Sequence, residues 1–586
     1  MTVQPPETKP KKKKKWYRHI LGAVYWLWLL GGLNTLLLQD IPLLLFLLGV
    51  GFALIYPSLT WFPGREELKG EPWLSWRRLW AGLGGIVWGL FVGAATIALL
   101  LFVIPPFAIS PQTTYLTAPR STELYGIDYQ SVIEQQLDPG VPPEDNGFRL
   151  LTKTFGRPFF ECTDEHWHRI CRYLELPTEI EPVLAFTDWL EYTKTLEPEE
   201  QEIIKADSTE PSHPFSEEAI PFVRQWLDEN DAALDMFITA AQKPVLYVPP
   251  MFGESLYDTL LTTEDVCRRM TRAIQIRIRY RLSVGEIDKA WGDVLVMYRI
   301  GELHRRSVWI VVSSLVNTAM LGAANRSAEA VLLHSDWSAE EIRRKVEEIM
   351  LFQRPWSEEE IRMIFRNERL MALDSLTHMV NGTFGFNDHC CGPTTPDAQD
   401  QFNMKIMMRV VRMGTVMVKV NRRFDEVEQW YFSDDPVLPE IKLPDRYDQL
   451  KMLAWYGFIG TLRTLLDYMA SEFSSLHSIE AWQTSNKGQE ADSSLTRLVF
   501  ALEAYHRDNG SYPAALDDLL GHDIDEIPLD PFSKEPFRYI LEEPGYLLYS
   551  VGPNGIDEDG RDRSDDPRGD DTRRRVPVPL LAEKQG

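Results

Sequence analysis

The residues with the most specific chemistry lie in an acidic loop near the C-terminus. Asp557, Asp559 and Asp562 are arranged around Gly560 in the pattern Asp-x-Asp-Gly-x-Asp. Hard cations such as Ca²⁺ take about six to eight oxygen ligands, and alternating carboxylates around a glycine turn supply such oxygens. The spacing therefore predicts a Ca²⁺ site. The alternative is a disordered acidic tail, because Asp-Gly-Arg repeats are also typical of disorder.

A small α+β module, which we place at residues 490–567, contains this loop. Apolar residues at helical spacing from Leu498 to Tyr505 predict a helix that ends near Gly510. Phe537–Ile540 and Tyr546–Ser550 alternate in the manner of paired strands. The loop would then follow the second strand directly. Beyond it, residues 568–586 are predicted to be a disordered tail.

Four segments of this module share their order with a known family. They are Tyr505-x-x-Asp508-Asn509-Gly510-x-Tyr512-Pro513, Asp530-Pro531-Phe532, Pro536-Phe537-Arg538-Tyr539 and Leu548-Tyr549-Ser550-Val551-Gly552-Pro553-Asn554-Gly555. Over about 75 residues, the size of a small domain, they resemble the soluble domain of type II secretion major pseudopilins. The family's N-terminal peptidase site is absent from this sequence. Filament assembly by the usual route is therefore not expected.

The resemblance also implies ligands, because the loop after the last strand binds Ca²⁺ in that family. Family ligands are a backbone carbonyl, a nearby Asp and a downstream Ser/Asp cluster, and Asn554 stands where the family has Asp. In this sequence the implied ligands are Val551, Asn554, Ser564, Asp565 and Asp566. Together with the three loop aspartates they form the predicted ligand set.

A mainly α outer domain is predicted at residues 150–485. Two amphipathic stretches, Gly253–Tyr280 and Ile287–Tyr298, are joined by a short glycine-containing turn and predict a helical hairpin. Ser338 and Ser357 each precede a glutamate by three residues, which predicts helix starts.

A stalk at residues 105–149 is predicted to precede this domain, with one helix near Tyr129–Leu137. Its segment Gly140–Asn146 and the hairpin segment Gly285–Tyr298 resemble an uncharacterised family of bacterial membrane-anchored proteins with a helical outer domain. No activity follows from that resemblance.

Three long apolar runs, at 16–38, 41–61 and 79–104, predict a transmembrane block, since about 20 apolar residues span a bilayer. The leader 1–15 contains six lysines, and the loop 62–78 contains Arg65, Lys69, Arg77 and Arg78. Because cations collect on the cytoplasmic side, we predict a cytoplasmic N-terminus and extracytoplasmic residues after 105. The expected location is the bacterial inner membrane. The alternatives are a cleaved signal peptide, or a hairpin formed by the first two runs.

Composition limits the partners. The chain has 586 residues, which indicates several domains, and a formal net charge of −25. Phosphate binding requires a basic surface, so nucleic acid is excluded as an expected partner. The leading interpretation is a multi-domain, non-enzymatic envelope protein that contacts other proteins.

A Cys/His cluster is the first competing site. Zinc takes such ligands, but four residues on one helix do not converge at a spacing of about 3.6 residues per turn. An amphipathic helix with partly buried side chains is therefore favoured over a metal site. The cluster consists of Cys162, His166, His168 and Cys171.

His389 and Cys390 define the competing enzymatic interpretation, an extracytoplasmic hydrolase, because a Cys beside a His can be activated. Alternatively, the adjacent Cys390 and Cys391 attach the loop by a disulfide bond to a distant thiol such as Cys267. The Gly-x-Ser-x-Gly and His-Glu-x-x-His signatures do not occur.

The predicted topology is tested by a reporter that is active only in the cytoplasm, fused after Gly586. It should be silent, because three spans leave the C-terminus outside. Fusion of the same reporter before Met1 is the positive control. Activity of the C-terminal fusion would contradict the topology.

Overall fold

The computed structural model describes residues 76, 105–207, 213–383, 413–433 and 476–577. In those ranges no helix has both the length and the apolar composition that a membrane span requires. The predicted spans within 16–104 lie outside the described residues, as do His389 and Cys390. The transmembrane block and the hydrolase alternative therefore stay predictions.

Helices make up most of the described chain, and the sheet part is small, so the coarse fold prediction is confirmed. Nearly all described residues belong to one compact unit, Ile109–Gln401 with Thr415–Lys442 and Tyr468–Gly586. The helices are α1 (Tyr129–Leu137), α2 (Gly147–Phe155), α3 (Asp164–Tyr173), α4 (Trp189–Thr195), α5 (Pro198–Asp207), α6 (Ile220–Ala241), α7 (Thr262–Ser283), α8 (Ile287–Arg305), α9 (Val311–Leu333), α10 (Ala339–Met350), α11 (Glu358–Asn381), α12 (Met413–Tyr431) and α13 (Leu476–Asn509).

The predicted helical hairpin is confirmed and consists of α7 and α8. Its first helix begins at Thr262, so the prediction of helical residues from Gly253 is wrong for 253–261, which contain the strand Thr259–Leu260. Gly285 lies in the turn at a φ of +77°, a conformation that L side chains rarely adopt. A buried ion cluster joins the two helices, because Asp293 accepts hydrogen bonds from Arg277 and Arg281, each at 2.6 Å. Two guanidiniums around one carboxylate offset the cost of burying it.

Helix positions that depend on local sequence are also confirmed. The predicted helix Tyr129–Leu137 is α1. Ser338 and Glu341 form a capping box at the start of α10, and Ser357 and Glu360 form another at the start of α11. In each box the serine hydroxyl accepts a backbone N–H that the helix leaves unpaired.

Helix α13, with 34 residues, connects the helical part of the unit with the C-terminal module. It packs against α9 and α10. Leu498 of α13 and Leu548 belong to one hydrophobic cluster with residues of α7, α8 and α9. The regions that we placed at 150–485 and 490–567 thus share a core, and the interval between them lies inside α13.

The described strands form two small antiparallel sheets. Their bounds are β1 (Met251–Phe252), β2 (Thr259–Leu260), β3 (Arg538–Leu541), β4 (Tyr546–Ser550) and β5 (Thr572–Val576). The predicted β3–β4 hairpin is confirmed, and β4 lies between β3 and β5 with all its residues buried. The prediction of a disordered tail from residue 568 is wrong for β5. A run of arginines suggested a solvated tail, but its partners come from elsewhere in the chain.

Arg574 anchors β5 to the helices. Its guanidinium donates to Glu329 of α9 and to Asp492 of α13, each at 2.6 Å. The Arg574, Glu329 and Asp492 side chains are only 14, 9 and 13 % exposed. The hydroxyl of Thr496 also donates to Glu329, so the buried carboxylate is well satisfied.

We expect Arg574→Ala to lower the free energy of unfolding by about 3–5 kcal/mol, because it leaves two largely buried carboxylates without a cation. Arg575→Ala is the matched control in the same strand. Arg575 pairs with Glu542 at 3.2 Å, with side chains 40 and 38 % exposed, and such pairs contribute about 0–1 kcal/mol. The measurement is chemical denaturation of the purified full chain. Equal losses for both variants would contradict the assigned role of Arg574.

Candidate cation site

The acidic loop connects β4 with β5, and the register of these strands brings its two ends together. Ser550 pairs with Thr572 across the ladder, so the residues just after β4 lie beside those just before β5. A Cβ atom on Gly552 would clash with the backbone carbonyl oxygen of Asp570. Gly552 also has a φ of +70°. The loop therefore closes tightly at its base, and glycine is required there.

Three carboxylates converge at this closed base. Glu558, Asp570 and Asp571 each contribute an oxygen, and these oxygens all lie within 4.8 Å of one another. Asp571 is only 3 % exposed, whereas Glu558 and Asp570 are half-buried. The cluster is thus closed on the Asp571 side and open to solvent on the other, which leaves room for water ligands.

Backbone amides hold the three side chains in place. Asp571 Oδ2 accepts the N–H groups of Gly560 at 2.9 Å and Glu558 at 3.2 Å. Asp570 Oδ2 accepts the N–H of Asn554 at 3.1 Å, and Glu558 accepts the N–H of Asp570 at 2.9 Å. These bonds fix the geometry of the cluster without cancelling its negative charge.

The other carboxylate oxygens of the two aspartates lack a partner within the described ranges. Asp570 Oδ1 and Asp571 Oδ1 are buried and have no hydrogen-bond partner among the described residues. A buried acceptor without a partner loses its hydration and gains nothing in return. Two such oxygens beside a third carboxylate are the arrangement that a bound cation would satisfy.

The same burial changes the protonation of the cluster. It raises the pKa of Asp571 to about 6 and also raises the pKa of Asp570. Loss of hydration disfavours the charged form of a carboxylate, and neighbouring carboxylates add to that effect. A divalent cation reverses both influences, because it favours the charged form.

Some of the ligands predicted from the sequence are engaged elsewhere. Asp557 accepts a hydrogen bond from the Tyr549 hydroxyl at 2.9 Å and pairs with Arg538 at 3.2 Å. Arg573 of β5 pairs with Asp562 at 3.1 Å and with Asp565 at 2.5 Å. These three carboxylates are therefore paired with arginines of β3 and β5.

The remaining predicted ligands differ in whether they contact the carboxylate cluster. Asn554 is joined to it directly, since its side-chain amide donates to Glu558 at 2.8 Å. Val551 donates its N–H to Asp530, and Ser564 donates its hydroxyl to Asp562. Asp559 and Asp566 are exposed.

Sequence reasoning missed all three members of the cluster. Asp570 and Asp571 lie in the region predicted to be a tail, and Glu558 stands between two aspartates that fit the ligand pattern better. A signal was present in Thr572–Val576, which ends in a β-branched residue and follows the acidic pair directly. A third strand there would have placed the pair beside the end of β4.

The Cys/His cluster does not assemble. Cys171 is buried on α3, His166 is half-buried and His168 is exposed, which agrees with the favoured amphipathic helix. In the part of the chain that the structure describes, Glu558, Asp570 and Asp571 are the one group of three or more such ligands close enough for a metal ion.

Comparisons of the chain with protein-family models, with curated proteins and with solved structures found no match. The resemblances to pseudopilins and to the membrane-anchored family therefore stay predictions.

A pair of glycines in the acidic loop tests the geometry of the loop base. Gly552 and Gly555 have φ angles of +70° and +67°, so alanine at either position costs about 1–3 kcal/mol in backbone strain. A Cβ atom on Gly555 meets nothing within 4 Å, whereas one on Gly552 clashes with Asp570. We expect Gly552→Ala to be about 1–3 kcal/mol more destabilising than Gly555→Ala, the cost of overpacking. Chemical denaturation in a chelator measures the difference, and equal losses would mean that the loop base is not tightly closed.

Proposed function

We propose that this chain is a membrane-anchored, extracytoplasmic protein of the bacterial envelope that is not an enzyme. Its C-terminal module binds Ca²⁺ and contacts protein partners. The observation that carries this proposal is the convergence of Glu558, Asp570 and Asp571, with two aspartate oxygens that lack a hydrogen-bond partner among the described residues.

The donor set favours Ca²⁺ over other cations. Carboxylate oxygens are hard ligands, and Ca²⁺ accepts irregular sets of about six to eight oxygens that often include water. Mg²⁺ demands near-ideal octahedral geometry, and zinc prefers nitrogen and sulfur ligands. The half-open cluster offers three carboxylates and access for water, which suits the larger and less demanding ion.

The order of elements supports a pseudopilin-like module. Helix α13 ends at Asn509, the β3–β4 hairpin follows, and the acidic loop comes directly after β4. In the family that this module resembles, the corresponding loop binds Ca²⁺, which supports the proposal. In this chain a further strand, β5, follows the loop and returns alongside β4, so the two acids just before β5 join the site.

The proposed location is the inner membrane, with residues after 105 extracytoplasmic. It is supported by the apolar runs within 16–104 and by the cations in the leader 1–15 and the loop 62–78. The net charge of −25 suits cations and basic protein surfaces as partners and disfavours nucleic acid. A pull-down of the solubilised chain in Ca²⁺ and in chelator would identify the partners.

The Ca²⁺ proposal is tested by thermal unfolding of the detergent-solubilised full chain in Ca²⁺ and in chelator. Binding to the folded form alone stabilises it by about 1.4 kcal/mol when free Ca²⁺ is tenfold above Kd. We expect Ca²⁺ to raise the melting temperature of the unmodified protein. Asp571→Asn should abolish that rise, and in chelator it should melt no lower than the unmodified protein, because it removes repulsion within the cluster.

Asp566→Asn is the matched control, since Asp566 is an exposed member of the predicted ligand set that lies outside the cluster. We expect it to keep the Ca²⁺ response. Loss of the response in Asp566→Asn with retention in Asp571→Asn would assign the site to the ligands implied by the resemblance. No response in the unmodified protein would refute Ca²⁺ binding.

A further inference from the structure

A second site lies away from the acidic loop, where the first turns of α7 and α9 approach each other. A cavity of about 480 Å³ opens there, within the size range of small-molecule pockets. Residues 259–261, just before α7, form one side, and Val312 and Val316 of α9 form another. Phe160 and Glu161 complete the lining.

The walls combine apolar side chains with an excess of acid. Glu161, Glu264 and Asp265 line the cavity, whereas Arg268 is its one basic residue. Arg268 pairs with Asp265 at 2.9 Å, and Arg269 pairs with the same carboxylate. Glu161 and Glu264 form no ion pair with any cation in the part of the chain that the structure describes. The apolar part consists of Phe160, Leu260, Leu261, Val312 and Val316.

Glu264 is the buried member of this acidic pair. It is 6 % exposed, accepts a hydrogen bond from the Ser313 hydroxyl, and forms no ion pair within the described residues. Burial raises its pKa, because loss of hydration disfavours the charged form. A carboxylate kept at the wall of a cavity, without a cation of its own, is complementary to a positively charged ligand.

Glu264 differs from other buried acids of this unit, which are either paired with arginines or lie away from this cavity. Glu329 and Asp293 are paired with arginines. Glu368 and Asp374 accept the backbone N–H groups of Val311 and Leu256, each at 2.8 Å, and neither lines this cavity.

Thr262 supplies an independent observation. Its side chain lines the same cavity, and the residue is 5 % exposed. Its hydroxyl Oγ1 is buried and has no hydrogen-bond partner among the described residues. Buried hydroxyls are normally paired, so an unpaired one beside the cavity favours a polar group as the ligand. A hydroxyl oxygen and a carboxylate are both acceptors for an ammonium group.

We propose that this cavity binds an organic cation, a primary ammonium group carried on an apolar chain. The ammonium group lies at Glu264 and Thr262, and the apolar chain packs against Leu260, Val312 and Val316. This site is separate from the Ca²⁺ cluster and does not depend on it.

The test is calorimetric titration of the detergent-solubilised full chain with hexylammonium chloride, compared with 1-hexanol. The two probes share an apolar chain and differ in charge. A hydrogen bond to a charged group contributes about 1.5–3 kcal/mol, so hexylammonium should bind at least about tenfold more tightly. Equal affinity for both probes would overturn the proposal, because the cavity would then select only for apolar character.

Glu264→Gln should reduce hexylammonium affinity about tenfold or more, since it removes the charge and keeps the shape. Glu503→Gln is the matched control, because Glu503 is also buried and also accepts one hydroxyl hydrogen bond, from Tyr512 at 2.6 Å. It should leave the affinity unchanged. Partition of the probes into detergent is the same for every variant and is subtracted.

Val312→Trp provides a second route if Glu264→Gln fails to fold. Val312 is 51 % exposed and lines the cavity, so a larger side chain there blocks the cavity without disturbing the core. It should abolish hexylammonium binding. Unchanged binding in this variant, or no binding to the unmodified protein, would overturn the proposal.

Discussion

The ion cluster around Arg574 is the constraint on which the C-terminal half of the compact unit depends. Its two carboxylates come from different helices, and its guanidinium comes from the last described strand. In a low-dielectric environment such groups are stable only when all are present, because each alone would be a buried charge. The cluster therefore requires α9, α13 and β5 to be in place together.

Polar contacts extend this cluster into the helical part of the unit. Asn325 of α9 donates to Asp492 at 2.7 Å and accepts a hydrogen bond from the Tyr298 hydroxyl of α8 at 2.6 Å. The acidic pair Asp570 and Asp571 directly precedes β5. A cation held by that pair would therefore restrict β5, the strand that Arg574 anchors. The proposed Ca²⁺ site is thus connected through β5 to helices α9 and α13.

Buried acids in this unit are accommodated in distinct ways. Asp293 and Glu329 face arginines and stabilise contacts between elements. The cluster of Asp571 with its two neighbours, and Glu264 at its cavity, form no ion pair among the described residues. An arginine buried beside an acid, as at Glu329, offsets the cost of burying the carboxylate. Buried acids without an arginine become candidates for binding where, as at Asp571 and Glu264, they also lie at a cluster of carboxylates or at a cavity.

The sequence by itself determined the features that depend on neighbouring residues. The capping boxes at Ser338 and Ser357, the turn at Gly285 and the β3–β4 hairpin were all predictable, because hydrogen bonds and turn conformations within a few residues decide them. Only the tertiary structure decided that the arginines of β5 form a strand. The partners of Arg574 are Glu329 and Asp492, which lie 245 and 82 residues away in the sequence. A pattern of neighbouring residues cannot predict contacts over such separations. The convergence of Glu558 with Asp570 and Asp571 has the same cause, since pairing of β4 with β5 closes the loop that brings them together.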